Sequence, residues 1–205
     1  MPYDLSRLNV NIVGPNAFSR RVLRSLLLAL GLANSTVKEM PDAETALADL
    51  KHFRPDLILC EITLPGMHGV GFIRAVRQIE DETSCYVPII VCTAHTDQPR
   101  VLACRDAGAH EVLHKPFSVA TLYQRIVSVI ENPRPFIHAQ VFTGPDRRRQ
   151  EKPVAPGQRR GDPAIRAPEG APGPFYGASD VSSRDRTPAK TSWNMPSVRR
   201  PVFVL

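Results

Sequence analysis

Residues 57–69 read LILCEITLPGMHG. Four apolar residues lead into one carboxylate, Glu61, and a Leu-Pro-Gly turn follows three residues later. Taken as DLILCEI (56–62), the run has strand length and lacks polar alternation, the pattern of a strand covered on both faces. VPIIVCTA (87–94) repeats it. Strands buried on both sides belong to parallel sheets sandwiched between helices, so helical segments are expected around them.

Working outward, LNVNIVG (8–14), STVKEM (35–40) and EVLHKP (111–116) read as three further strands. Asn16 precedes AFSRRVLRSLLLALG, where Phe18, Val22, Leu23, Leu26, Leu27 and Leu30 fall at helical spacing. Asn16 is the expected N-cap and Gly31 the expected stop. Further helices are predicted over 42–53, 69–80, 97–108 (Pro in its first turn, Gly after its end) and 118–132, the last capped by Ser118. Five βα units with short connections predict an open α/β fold, a parallel sheet wound on both faces. Ligands of such sheets sit outside the carboxyl ends of the strands, which is where chemistry is sought.

Charge divides the chain. Residues 1–132 carry 13 Lys+Arg against 14 Asp+Glu, whereas residues 133–205 carry 13 against 6 and 12 of the 20 prolines. The front is expected to be one globular domain (1–132). The rest (133–205) is expected to be a Pro/Arg-rich, largely disordered extension that cannot offset its ordering entropy by burial. Within it, FIHAQVF is the one run with the look of a short strand-like flap. The cysteines Cys60, Cys85, Cys92 and Cys104 show no CxxC or zinc-ligand spacing, and Cys60 and Cys92 read as small core residues. No secretory signal or membrane span is visible, and a cytoplasmic protein is expected.

Three groups converge on the carboxyl edge: Glu61 after strand three, Thr93 after strand four and Lys115 at the end of strand five, with a proline after the lysine. An acid, a hydroxyl and an amine at those ends, with LPGMHG after the acid and KPF after the amine, resemble the receiver domain of two-component response regulators. The resemblance runs from about Leu8 to Asn132. It implies a flavodoxin-like, five-stranded parallel sheet of order 2-1-3-4-5 with five helices. In an active receiver, an aspartate ending strand three takes a phosphoryl group. That aspartate and two acids after strand one hold Mg²⁺, and a lysine and a Thr/Ser bind the phosphoryl oxygens.

Carried onto this chain, the resemblance retains Lys115 and Thr93 and departs elsewhere. The strand-one acids fall on Gly14 and Pro15, neither of which offers a side-chain oxygen. The phosphoacceptor position is Glu61, one methylene longer than aspartate. Val112 stands where the family often carries the Tyr or Phe that rotates inward on activation, and His68 replaces the usual acid in the following loop. The expectation is a degenerate receiver (a pseudo-receiver), not an enzyme, with no cofactor and no metal. It would act in bacterial phosphorelay signalling as a phosphorylation-independent interaction module. Whether Glu61 mimics a phosphoaspartate or forms a strut with Lys115 stays open.

The expected partner is a histidine kinase or other signalling protein. It would dock on the face of helix four, strand five and helix five, where Arg100, His110, Val112 and His114 are candidate contacts. The spacing of His68, His95 and His114 gives no support to a metal site, and His114 should point away from Lys115. Two alternatives stand beside the main reading. One is a nucleic-acid-associated regulator that uses Arg147, Arg148, Arg149, Arg159 and Arg160 of the basic tail on phosphates. The other is a residually phosphorylatable receiver. No DNA-binding or catalytic output pattern follows residue 132.

Overall fold

In a computed structural model, the structure describes residues 3–94, 97–139, 142–146 and 165–166. Five strands, β1 (Val10–Val13), β2 (Val37–Met40), β3 (Leu57–Glu61), β4 (Ile89–Thr93) and β5 (Glu111–His114), form one sheet of order β2-β1-β3-β4-β5. Every pairing in that sheet is parallel. The helices α1 (Ala17–Ala29), α2 (Ala43–Asp49), α3 (Gly69–Arg77), α4 (Gln98–Asp106) and α5 (Val119–Glu131) connect the strands, and a single helical turn lies at Glu82–Cys85. This is the doubly wound fold expected from the alternation of buried strands and helices.

Period-two alternation divides the core. Leu57 and Leu59 of β3 pack with Leu23 and Leu27 of α1 and Leu122 and Ile126 of α5. Ile58 and Cys60 pack on the other side with Phe72, Ile73 and Val76 of α3. Each strand residue feeds one layer or the other, as the pleat requires. The predicted caps hold: the Asn16 side chain accepts from the Ser19 N–H at 3.1 Å, and Ser118 Oγ accepts from the Thr121 N–H at 3.1 Å. Gly31 ends α1 at φ 92°, a conformation that costs glycine little.

Several expectations are refined. The second strand is shorter than 35–40 because Asn34–Thr36 form a 3₁₀ turn. The second helix ends at Asp49 instead of running to residue 53. Phe18 and Val22, placed on the apolar stripe of α1 by spacing, are 74% and 43% exposed. The layer beneath α1 is filled by Leu23, Leu27 and Leu30, which leaves these two facing outward. All four cysteines are buried free thiols. Burial pushes the Cys92 thiol up to about 12 and Cys104 up to about 11, so both stay protonated and unreactive at neutral pH.

Beyond α5 the chain turns back. Strands β6 (Phe136–Ala139) and β7 (Phe142–Pro145) form an antiparallel hairpin, and β8 (Ile165–Arg166) pairs with the other side of β6. The expected domain boundary at residue 132 therefore falls between α5 and a hairpin that packs on the domain. Arg147, Arg148, Arg149, Arg159 and Arg160, the residues expected to touch nucleic acid, lie outside the described residues, as does His95.

Candidate functional site

The register brings the expected residues to one edge. Glu61 ends β3 opposite Cys92, Thr93 follows on β4 opposite His114, and Lys115 is the first residue past β5. The Lys115 N–H donates to the Thr93 carbonyl at 2.7 Å, which continues the sheet by one rung and fixes where the lysine side chain starts. From there Lys115 Nζ donates to Glu61 Oε1 at 2.6 Å. The two side chains are 25% and 15% exposed, respectively, so water screens the pair only in part. His114 points away, as alternation requires. It is exposed, with Nε2 3.2 Å from the Ala94 carbonyl oxygen.

Gly14 follows β1 on the strand beside β3, and its N–H donates to the Met40 carbonyl at 3.0 Å. A Cβ added to Gly14 would lie 3.1 Å from both Cγ and Cδ of Glu61 and 3.4 Å from Oε1. The glutamate therefore lies across Gly14, in volume that any side chain at position 14 would need. Pro15 is exposed beside it.

The turn after Glu61 is built for close approach. Gly66 takes φ 71°, and the Gly69 N–H returns to the Ile62 carbonyl at 2.9 Å. A Cβ on Gly69 would meet the Glu61 carbonyl oxygen at 2.6 Å, so only glycine lets α3 start this near β3. The two glycines of LPGMHG thus fold the loop back against the end of β3.

The resemblance implies a Mg²⁺ site here, and the donor set does not fit one. A hard divalent cation takes oxygen ligands, typically several, with carboxylates to balance its charge. Gly14 and Pro15 offer no carboxylate, and the Glu61 carboxylate already accepts from Lys115. Among the described residues no group of three or more His, Cys, Asp or Glu could hold a metal ion.

Sequence reasoning missed Arg20. Its guanidinium donates through Nη1 to the Gly14 carbonyl at 2.6 Å and pairs with Glu39 at 3.5 Å, which places a cation at the end of β1. Its place in the first turn of α1, shortly after Gly14, is the signal that could have found it. Of the four contacts expected around strand five, His110 is turned inward. Its Nδ1 accepts from the Ile89 N–H at 3.3 Å and lies 3.4 Å from Arg77 Nη2. Burial, then the Arg77 and Arg134 charges, hold its pKa well below 6.5. Val112 is half-buried against the α3 layer, and Arg100 is exposed, paired with Asp97 at 3.4 Å.

Comparison with known proteins agrees with the fold. The signature of the response regulator receiver domain matches residues 10–127. Chemotaxis protein CheY-3 of Vibrio cholerae is 30% identical over 125 residues, covering 60% of this chain and 93% of that protein. The KDP operon transcriptional regulatory protein KdpE of Escherichia coli is 35% identical over 118 residues, 58% of this chain and 49% of KdpE. Among solved structures, the receiver domain of sensor histidine kinase PA1611 from Pseudomonas aeruginosa, crystallised with magnesium in its active-site cleft, superposes with a TM-score of 0.52. It shares 31% identity and covers 59% of this chain and 94% of its own. CheY4 of Vibrio cholerae gives a TM-score of 0.53 at 27% identity, covering 60% and 98%. No helix among the described residues is long and apolar enough to cross a membrane. The chain belongs to the response regulator receiver family of two-component signalling.

Proposed function

We propose that this receiver is a degenerate one that signals by binding a protein partner, without accepting a phosphoryl group and without acting as an enzyme. The observation that carries this reading is the Glu61 side chain, tied to Lys115 at 2.6 Å and packed across Gly14. Phosphoryl transfer to a carboxylate needs a neutralising cation and an in-line approach. The residues that would hold the cation are glycine and proline. The acceptor is a methylene too long, and a misplacement of about 1 Å costs on the order of 10²-fold in rate.

Between a phosphoaspartate mimic and a strut, the geometry favours the strut. A carboxylate lacks the three acceptor oxygens of a phosphoryl group, and Lys115 donates to a single oxygen of Glu61. The pair is electrically neutral and joins β3 to the end of β5, so it holds the edge in one arrangement.

The partner is a signalling protein; on the expected face of α4, β5 and α5 Arg100, Leu102 and His114 are exposed, and α1 offers a second surface. His110 is engaged inside and Val112 is half-buried. Phe18 and Val22 stand out from α1, which begins shortly after Pro15. An exposed aromatic and a β-branched residue one helical turn apart offer an apolar anchor of the kind that dominates interface energetics. Full-length protein used as bait tests both points. A partner held equally by wild type and Glu61→Gln, in Mg²⁺ or chelator, and lost with Phe18→Ser is the expected result. Loss with Glu61→Gln would restore the mimic, and dependence on Mg²⁺ would contradict the whole reading.

A further inference from the structure

The hairpin after α5 sits at the end of the sheet opposite Glu61 and is fitted there by three unlike contacts. The Phe136 ring meets the Tyr86 ring edge-on, with centroids 4.7 Å apart, and lies 5.3 Å from the Arg77 guanidinium carbon. A Cβ on Gly144 would come 2.8 Å from Gly108 Cα, so backbone touches backbone across the junction. Arg134, in the connector, donates to Glu111 at 2.8 Å. Glu111 opens β5 and is 7% exposed, and its other carboxylate oxygen is 3.5 Å from Arg125 of α5.

Beneath the hairpin, Arg77 is a buried cation with no carboxylate against it, held mainly by carbonyls. It donates to the Cys85, Val87 and Gly108 oxygens at 2.7–3.1 Å. Burial disfavours its charge, so the carbonyls and the overlying ring are what keep it in place. The hairpin therefore closes a polar cluster that water would otherwise enter, and Glu111 links it to the strand and helix at that edge.

We propose that this hairpin is a latch whose docking sets the rigidity of β5 and α5, so that freeing it loosens the β5–α5 surface. The link runs from Arg134 to Glu111 and from Glu111 to Arg125. A second link runs through Gly144 on Gly108, in the loop that leads into β5. The latch is independent of the Glu61 edge and stands whether or not that site takes a phosphoryl group. It gives the chain a control point at the opposite end of the sheet, in the same β5 whose position 112 carries an aliphatic residue.

Hydrogen exchange on the full chain, read peptide by peptide, tests this. Gly144→Ala is the deciding variant. Its methyl would meet Gly108 Cα at 2.8 Å and the Phe142 ring at 2.9 Å, and it leaves the Glu111 ion pairs untouched. Phe136→Leu serves the same purpose through the aromatic contact and covers the case in which Gly144→Ala fails to fold. The expected result is exchange faster by about tenfold or more in residues 136–145, in β5 and in α5, with β1 and β3 unchanged, as for a sub-global opening. The inference is overturned if the variants free the hairpin while β5 and α5 keep wild-type protection. It is equally overturned if the hairpin itself is unaffected.

Discussion

Gly14→Ala, made alone and in a Glu61→Ala background, probes whether the glutamate occupies the volume left by the missing strand-one side chain. In wild type the new methyl would sit 3.1 Å from two Glu61 carbons, closer than ordinary contact, and Glu61 is held from the far side by Lys115. Overpacking of this kind costs about 1–3 kcal/mol. The φ of Gly14 is outside the left-handed region. Without the clash, the substitution should stabilise by about 0.4–1 kcal/mol through the unfolded chain. Glu61→Ala removes the three atoms nearest the methyl, so the same change becomes neutral or favourable there. The double-mutant cycle should then give a coupling of about 2 kcal/mol. With a urea m-value of about 1–3 kcal/mol/M, that appears as a difference of roughly 1 M between the midpoint shifts in the two backgrounds. Equal shifts in both backgrounds would refute the packing of Glu61 over Gly14.

Three further outcomes are expected. His110→Gln should flatten the acid limb of the stability profile. Between pH 6.5 and the depressed folded pKa, the unfolded chain binds a proton that the folded ring refuses. Wild type therefore loses up to about 1.4 kcal/mol per pH unit as pH falls below 6.5, and urea midpoints of the two proteins should converge on acidification. Asn16→Ala should lower stability by about 1 kcal/mol through the lost Ser19 cap, measured by thermal melting. A chain ending at residue 132 should be less stable than one ending at 146 by about 1.5–3 kcal/mol, since it loses the charged hydrogen bond from Arg134 to the buried Glu111.

The sheet was legible because its signals are local. Buried strands such as LILC and IIVC announce themselves by composition, and Asn16, Gly31 and Ser118 mark helix ends through their own backbone chemistry. The convergence of Glu61, Thr93 and Lys115 was legible once strand ends were aligned. What the sequence hid is long-range. Nothing near Arg77 tells that its guanidinium will be spent on carbonyls from two separate loops. Nor does FIHAQVF reveal that Phe136 will lie against Tyr86, fifty residues earlier. His110 looked like a surface contact because its inward turn depends on Arg77 and Ile89, neither of them a sequence neighbour. Phe18 misled for a simpler reason: helical spacing identifies a stripe without saying where its outer margin meets solvent.

The central claim is that the Glu61 edge takes no phosphoryl group. Intact-mass measurement of the full chain after incubation with acetyl phosphate and Mg²⁺ tests it most directly. No phosphoryl increment is expected at any Mg²⁺ concentration, for wild type and Glu61→Ala alike. An increment in wild type that disappears in Glu61→Ala would show that the carboxylate still takes a phosphoryl group and would contradict it.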